Sequence, residues 1–402
     1  MRGFRERAEV ADVEAMLLRR VAALAGETVE TIGASGRILC ERISSPVAVP
    51  AFDRSAMDGY ALRGEETFGA EAYSPLRLRV IGESLPGRAF AGTVGAGETV
   101  RIMTGAPMPS GADAVLMAED ATVDGDHLDI AAPVPPKKNV SACGEDVRAG
   151  DVLLEAGRRL RPQDLGVLLS TGIAQVLVHR RPRVDILVTG NELLPAGAAP
   201  QGHRIVDANS PILQALVDRD GGEVVRRDIV ADDLDTLRAA IRGCAGDAIL
   251  VSGGSSVGKE DFVPQVVGEL GELAVHGIAM RPSSPAGVGF IGGRPLFLLP
   301  GNPVSCLCAY DFFAGPSIRA LGGRARDWPY RSIVLPLSRK IASESGRVDY
   351  ARVRVVDGRV EPLMISGASI LSSTTRADGF VIVPRDSEGF SADDQVTVHL
   401  YG

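Results

Sequence analysis

The sequence is poor in the residue types that mark several classes of protein. Its 402 residues include five cysteines and five histidines, and only 4% of them are aromatic. Five cysteines in so long a chain form no disulfide framework, and the histidines show no zinc-type spacing. The 43 Lys and Arg against 51 Asp and Glu leave a formal charge of −8. Nucleic acid and anionic lipid are therefore disfavoured as partners, because there is neither a basic excess nor an obvious base-stacking surface.

Long apolar runs are missing as well. No window approaches 18 consecutive apolar residues, and the first ten residues, MRGFRERAEV, carry charge without the apolar stretch of a signal peptide. Together with the odd number of cysteines, this predicts a soluble, cytoplasmic protein that has no membrane partner. Cys306 and Cys308 fall in an apolar run, which predicts buried and unreactive thiols.

Glycine and proline are abundant, at 47 and 25 residues. Their share is well above the roughly 12% of an average chain. Because 45% of the residues are apolar, this content indicates many short elements joined by tight turns rather than disorder. At roughly 100 to 200 residues per domain, the length predicts two to four domains.

The pattern of apolar residues changes along the chain. Helical spacing predicts an amphipathic helix over residues 12–24, and short β-like runs between glycines and prolines predict a β-rich module over 46–145. Residues 146–183 have mixed character. From 184 to 326, unbroken apolar strands alternate with helices, which predicts a parallel sheet covered by helices on both faces. From 327 onward the β pattern returns and predicts a small barrel or sandwich.

Three glycine-containing loops follow predicted strands of the α/β region. They read TGNELL (189–194), SGGSSVGKED (252–261) and PGNPVS (300–305). Glycine lets backbone N–H groups turn toward a ligand, and ligands of such sheets bind beyond the carboxyl ends of the strands. Any one loop is compatible with an ordinary tight turn, but three of them favour an anion site. Neither a Walker motif nor a G-x-G-x-x-G motif is present.

A second group of motifs is acidic. It comprises FDRSAMDGYALR (52–63), RIMTGAP (101–107) and GEDVRAGD (144–151). Taken alone, Asp58-Gly59 is compatible with an ordinary turn. Several acidic residues together with the anion loops predict a site that holds a divalent cation against phosphate.

The motifs together resemble one family. FDRSAMDGYA, RIMTGAP, GED, TGNEL, SGGSSVG and PGNPVS occur in the order and spacing of the molybdopterin molybdenumtransferases, or MoeA proteins, which are similar to the E domain of gephyrin. The resemblance covers nearly the whole chain and implies a multidomain fold of the α/β plus β class. The implied domains are an elongated N-terminal linker and dimerisation domain (1–45 with 146–183), a β-rich second domain (46–145), a three-layer α/β molybdopterin-binding domain (184–326) and a C-terminal β-barrel-like domain (327–402).

The resemblance also implies an activity. In this family, molybdate is inserted into adenylylated molybdopterin, AMP is released and Mg²⁺ is required. The subunit is expected to form a homodimer, with the active cleft between the α/β domain of one subunit and the β-rich domain of the other. The enzyme that adenylylates the pterin and apo-molybdoenzymes are further implied partners.

Residue by residue, the resemblance carries roles over to this chain. The implied catalytic residues are Asp58, Thr104, Asp146, Glu192 and Asp261. Glu192 and Asp261 are the leading Mg²⁺ candidates, and Asp232 or Asp233 matches a further acidic position. The implied substrate-binding residues are Ser252, Gly253, Gly254, Ser255, Ser256, Lys259, Arg281, Ser284, Pro300, Gly301, Asn302 and Pro303.

The chain also departs from the family pattern. It reads RPSSP where many members read KPGKP, so Arg281 keeps one positive charge and Ser284 replaces the second lysine. Lys259 replaces a frequent acid and is a candidate for the compensating charge. The resemblance implies that the family handles molybdate at this motif, so one alternative that stays open is a relative tuned to another oxyanion such as tungstate, or a donor protein for one enzyme. Another is a non-catalytic scaffold, because gephyrin uses this fold as an assembly module.

Overall fold

The computed structural model describes residues 7–255, 262–364 and 367–401. The chain forms two compact units, one made of Thr28–Val178 and the other of Met1–Glu27 with His179–Gly402. The principal helices are α1 (Val10–Arg20), α2 (Pro162–Ser170), α3 (Asn209–Arg219), α4 (Leu234–Arg242), α5 (Val263–Leu270), α6 (Pro303–Ala309), α7 (Gly315–Leu321) and α8 (Ser372–Thr375). The predicted fold class, α/β plus β in several domains, is confirmed. The four-domain division stays a prediction.

The unit Thr28–Val178 is mainly β. Its strands, of which the first and last cross the unit boundary, are β1 (Gly26–Glu30), β2 (Ile43–Ser44), β3 (Arg54–Ser55), β4 (Gly59–Leu62), β5 (Leu76–Ser84), β6 (Glu98–Ile102), β7 (Ala114–Met117), β8 (Thr122–Asp124), β9 (His127–Ile130), β10 (Val140–Ser141), β11 (Val152–Leu154) and β12 (Gln175–His179). One six-stranded sheet has the order β7-β4-β6-β5-β9-β8. Its alternating apolar residues, such as Leu116 and Leu128, pack into one core.

A smaller core in the same unit lies around α2. It joins residues near 34–39 to residues 160–178, with Leu39, Leu168 and Val178 fully buried. By contrast, the apolar face of α1 packs into the core of the other unit, against residues such as Phe312. The helix predicted over 12–24 is therefore found over Val10–Arg20, where it covers the α/β region, and it ends four residues earlier than predicted.

The α/β region is built on one sheet. The strands of this region are β13 (Arg183–Thr189), β14 (Leu193–Leu194), β15 (Ile205–Val206), β16 (Glu223–Val230), β17 (Ala248–Ser252), β18 (Glu272–His276), β19 (Met280–Arg281), β20 (Gly287–Ile291) and β21 (Arg294–Leu299). Of these, β14 and β15 pair with each other in a separate two-stranded sheet, and β19 joins the sheet of the C-terminal region. The sheet order is β16-β13-β17-β21-β20-β18. Its first four strands run parallel, β20 pairs antiparallel with β21, and β18 pairs antiparallel with β20. The strand β17 is buried at every residue, as expected for a strand covered on both faces.

Helices cover the two faces of this sheet. Apolar residues of α3, α6 and α7 pack into one cluster with α1, whereas α4 and α5 pack into the cluster on the opposite face. Cys306 and Cys308 are buried in α6, as predicted. Burial raises the pKa of the Cys306 thiol to about 12, so this thiol is protonated and unreactive at neutral pH.

The C-terminal region is a second mixed sheet. The strands of this region are β22 (Arg331–Pro336), β23 (Ile341–Ala342), β24 (Val348–Val356), β25 (Arg359–Met364), β26 (Gly379–Val383), β27 (Gly389–Phe390) and β28 (Gln395–Leu400). Of these, β23 and β27 pair with each other in a separate two-stranded sheet. The order is β19-β24-β26-β28-β22, with β25 also paired to β24. Over the described ranges, no helix has the length and apolar character needed to cross a membrane.

A buried polar network links the α/β region to this sheet. The carboxylate of Asp311 accepts hydrogen bonds from the Tyr330 hydroxyl at 2.9 Å and from Arg219 at 3.1 Å. Burial nevertheless raises the pKa of Asp311 to about 6, because removing the carboxylate from water outweighs the stabilisation that Arg219 provides. The protonation of Asp311 is therefore linked to folding.

Candidate functional site

The three predicted glycine loops meet at one edge of the α/β sheet. They follow β13, β17 and β21, which are neighbours in the sheet, so their carboxyl ends lie side by side. There they border a cavity of about 620 Å³. Its walls are formed by Val188, Thr189, Glu192, Leu193, Ile205, Val206, Asp207, Ala208, Asn209, Asp232, Ser252, Gly253, Gly254, Ser255, Pro285, Pro300, Gly301, Asn302, Pro303 and Ser369. The structure thus brings together most of the predicted substrate-binding residues of the α/β region.

Backbone packing explains the glycine after β17. Gly253 has φ +102°, and a Cβ at this position would lie 2.3 Å from the carbonyl oxygen of Thr189. Its N–H donates to the Leu299 carbonyl at 3.0 Å. Gly253 therefore holds the loops of β13, β17 and β21 against one another, and its own amide is already used within the protein.

Residues at the start of α3 form part of the cavity wall, and the sequence motifs did not predict their place there. The Asp207 carboxylate accepts from the backbone N–H groups of Asn209 at 2.9 Å and Ser210 at 3.0 Å, and so caps the helix. The Asn209 side-chain amide donates to Ser252 Oγ at 2.9 Å and to the Gly301 carbonyl at 2.7 Å. The cue in the sequence was the run DANSP, a cap-forming acid followed by an amide where a helix begins.

The structure separates the two adjacent acids, Asp232 and Asp233. Asp232 lines the cavity and accepts a hydrogen bond from the Thr189 hydroxyl. Asp233 instead caps α4 by accepting from the Thr236 N–H at 2.9 Å. The Thr236 hydrogen bonds lower the pKa of Asp233. Of the two, Asp232 is the one that lines the cavity, as Glu192 does.

Several predicted residues are not among the described residues that line this cavity. Ser256, Lys259 and Asp261 lie outside the described residues, so their predicted roles stay predictions. Arg281 forms an ion pair with the fully buried Asp349 of β24. Ser284 Oγ is buried, and among the described residues it has no hydrogen-bond partner. Among the described residues that line the cavity there is no lysine or arginine.

The acidic motifs of the unit Thr28–Val178 form a separate arrangement. Asp58 is exposed, and its Oδ1 accepts from the Thr104 backbone N–H at 2.7 Å and from the Thr104 hydroxyl at 2.6 Å. These bonds from Thr104 lower the pKa of Asp58, so it is an ionised carboxylate at neutral pH. The next residue is Gly59, where a Cβ would lie 1.8 Å from the Leu116 carbonyl oxygen. Asp146 is exposed on another loop of this unit.

Carboxylate oxygens of the cavity suit a hard cation. Within the described ranges, no cluster of three or more His, Cys, Asp or Glu is arranged to hold a metal ion. Mg²⁺, however, is commonly held by one or two carboxylates together with substrate phosphates and water. Glu192 and Asp232 both line the cavity, and two carboxylates fit such a shared site.

Comparison with known proteins finds three family models that match successive parts of the chain. Family models match the MoeA N-terminal region (domain I and II) at residues 8–172, a probable molybdopterin binding domain at 185–320 and the MoeA C-terminal region (domain IV) at 334–401.

Individual relatives match over similar lengths. The chain is 34% identical to the molybdopterin molybdenumtransferase of Haemophilus influenzae, over 92% of this chain and 93% of that protein. It is also 34% identical to molybdopterin molybdenumtransferase 2 of Mycobacterium tuberculosis, over 92% of this chain and 94% of that protein. A crystal structure of the molybdopterin biosynthesis MoeA protein from Pyrococcus horikoshii superposes with a TM-score of 0.87 at 34% identity, covering 99% of this chain and all of the other.

Proposed function

The chain belongs to the MoeA family, and from this premise we propose that it is a molybdopterin molybdenumtransferase, which inserts molybdate into adenylylated molybdopterin and releases AMP. The family membership inferred from six motifs is thereby confirmed. The observation that carries the proposal is the meeting of three loop motifs at one cavity of about 620 Å³. A cavity of this size accommodates a ligand as large as a nucleotide-linked pterin.

Polar groups of the cavity suit the anionic parts of these substrates. Ser255, Asn302 and Ser369 place hydroxyl and amide groups in its wall, and such neutral donors bind oxyanions without a formal charge. The apolar side chains of Val188 and Val206 line another part. This combination of an apolar wall and a few polar groups is typical of sites for organic ligands.

Glu192 and Asp232 are proposed to hold Mg²⁺. The ion would neutralise charge on the phosphates that become part of AMP. Asp261 stays a further candidate for this role. Asp58, Thr104 and Asp146 are proposed to act in the active cleft of a homodimer, as the family resemblance implies; a monomeric mass at micromolar concentration would contradict the dimer.

AMP release tests the proposal directly. Purified protein is incubated with adenylylated molybdopterin, molybdate and Mg²⁺, and AMP is quantified by chromatography. We expect AMP release together with cofactor that activates an apo-molybdoenzyme. Release no greater than in a protein-free control would contradict the proposal.

The neighbouring acids supply a matched pair of variants. Asp232→Asn removes a carboxylate from the cavity wall, so we expect AMP release to fall by at least about tenfold and the Mg²⁺ requirement to rise. Asp233→Asn alters a helix cap outside the cavity, so we expect only a small loss of stability, since asparagine also caps helices. Full activity in both Asp232→Asn and Glu192→Ala would favour the scaffold alternative instead.

A second candidate function concerns the oxyanion. Arg281, the remaining cation of the RPSSP segment, is held by Asp349, and the described residues of the cavity wall include no Lys or Arg. Neutral donors discriminate weakly between tetrahedral oxyanions of equal charge, which favours acceptance of tungstate. Competition between molybdate and tungstate in the AMP assay tests this, and turnover that clearly favours molybdate would remove it.

A further inference from the structure

The RPSSP segment (281–285) contains a serine in a backbone conformation that favours glycine. Ser283 has φ +91°, which residues with a side chain rarely adopt. Its carbonyl accepts from the Ala286 N–H at 2.9 Å, and the Ser284 carbonyl accepts from the Ile278 N–H at 2.9 Å. A strained residue of this kind persists only where its surroundings hold it, and such residues cluster at functional sites.

The hydroxyl of Ser283 ties the segment to α6. Ser283 is 3% exposed, and its Oγ donates a hydrogen bond to the carbonyl of Ser305 in the first turn of α6. Glycine would relieve the backbone strain, but it has no side-chain donor. The serine side chain therefore makes a link between the segment and α6 that glycine could not supply.

Each end of this hydrogen bond lies close in the chain to a residue of the cavity wall. Pro285, two positions after Ser283, and Pro303, two positions before Ser305, both line the cavity. The bond itself is made by buried groups behind these prolines. It therefore joins two parts of the wall from behind, without contacting the ligand.

The same turn of α6 is bonded to a third part of the wall. The Val304 N–H donates to the Ala368 carbonyl at 3.0 Å, and the next residue, Ser369, lines the cavity. Segments that are far apart in the chain are thus connected at one helical turn. Because close-packed interiors transmit displacements, loosening one of these links is expected to shift the wall as a unit.

We infer that Ser283 is a positioning residue: its hydroxyl fixes the RPSSP segment against α6 and so fixes the wall against which the substrate is held for reaction. The inference rests on the proposed function, because it takes this cavity as the site of the reaction. Loss of the bond should lower turnover more than binding, since a small misplacement slows the reaction while most ligand contacts remain. Glu192 and Asp232 follow other strands, β13 and β16, so the Mg²⁺ requirement should not change.

Two substitutions separate the hydroxyl from the backbone strain. Ser283→Ala removes the hydroxyl and keeps the strain, so we expect the melting temperature to fall by about 2–4 °C, the effect of one hydrogen bond. Ser283→Gly also removes the hydroxyl but relieves the strain, so we expect melting within about 2 °C of wild type. In the AMP assay, both variants should lose about tenfold in kcat, with the KM for adenylylated molybdopterin changed by less than about twofold.

Asp357→Gly is the matched control for relief of backbone strain. Asp357 also has a positive φ, +48°, but it is exposed in the turn between β24 and β25. It is not among the described residues that line the cavity. We therefore expect this variant to keep the kcat and KM of the wild-type protein.

Amide hydrogen exchange supplies a measurement that does not depend on turnover. In both Ser283 variants, the amides of 303–306 should exchange about tenfold faster than in wild type, because a link that holds this turn is lost. Exchange in the buried strand β17 should stay unchanged. Mass spectrometry of peptides from these two regions measures both rates.

The outcomes separate this inference from the proposed function. Ser283→Gly protein with wild-type kcat would overturn the inference, because activity would then follow stability rather than the hydroxyl. Unchanged exchange at 303–306 in both variants would overturn it as well. In either case, AMP release by the wild-type protein would still support the transferase. Absence of AMP release by the wild-type protein contradicts the transferase instead, and the exchange rates then decide whether Ser283 holds the cavity wall.

Discussion

Gly253→Ala tests whether backbone packing behind the cavity requires glycine. An alanine Cβ here would lie 2.3 Å from the Thr189 carbonyl oxygen, and φ is +102°. Holding a non-glycine residue in such a conformation costs about 1–3 kcal/mol. The contact must also open by about 1 Å to reach van der Waals separation, which moves the loop after β17 away from β13. We expect the free energy of unfolding to fall by about 2–3 kcal/mol.

Activity should respond more strongly than stability. The same displacement carries Ser255 and the rest of this loop away from the ligand, and a 1 Å misplacement can reduce a rate about 100-fold. Urea unfolding followed by circular dichroism measures stability, with each transition fitted separately because the chain has two units. AMP release at 20 °C, well below unfolding, measures activity.

Gly268→Ala is the matched control for this substitution. Gly268 lies in α5, and a Cβ there would meet no atom within 4 Å. Because alanine favours helix over glycine by about 0.5–1 kcal/mol, this variant should be slightly more stable than wild type and equally active. Gly253→Ala protein with wild-type stability and wild-type AMP release would refute the packing argument.

Three further predictions concern charged groups. In Thr104→Val the hydroxyl bond to Asp58 is lost, so the pKa of Asp58, measured by NMR titration, should move back up toward its ordinary value of 3.8; an unchanged pKa would contradict the assigned cause. Asp311 has a raised pKa of about 6, so the folded state binds this proton more tightly than the unfolded state does. The protonated carboxyl therefore adds to the free energy of unfolding below about pH 4, and this contribution is lost as the pH rises through 6. Relative to Asp311→Asn, wild type should therefore lose roughly 3 kcal/mol between pH 4 and 7, and parallel pH profiles in urea unfolding would refute this. Glu272→Gln breaks a partly exposed ion pair with Arg20, and because such pairs contribute little, we expect a change in unfolding free energy below about 1 kcal/mol; a larger loss would show that the pair stabilises the fold.

Prediction from the sequence worked best where the physical cause is local. Unbroken apolar runs such as the one in β17 identify strands covered on both faces, because no polar residue interrupts them. Glycine-containing loops directly after apolar runs predicted that these motifs lie at the carboxyl ends of β13, β17 and β21. The burial of Cys306 followed from the apolar run around it.

Prediction was weaker where two neighbouring residues of similar chemistry could each take the same role. Asp232 and Asp233 are adjacent and equally acidic, and only the point at which α4 begins assigns one to the helix cap and the other to the cavity. Asn209 was missed because an amide after an acid is equally typical of a helix start that has no ligand.

The sequence by itself determined the family, the order of the elements and the position of each loop motif, because turn chemistry and apolar periodicity act between residues close in the chain. Only the tertiary structure decided which side chains reach the cavity. Arg281, whose role in anion binding stays a prediction, pairs with Asp349, which lies 68 positions along the chain. Asn209 is oriented by Ser252 and Gly301, which come from two other loops. Such partners are set by how distant segments pack, and no local pattern in the chain records them.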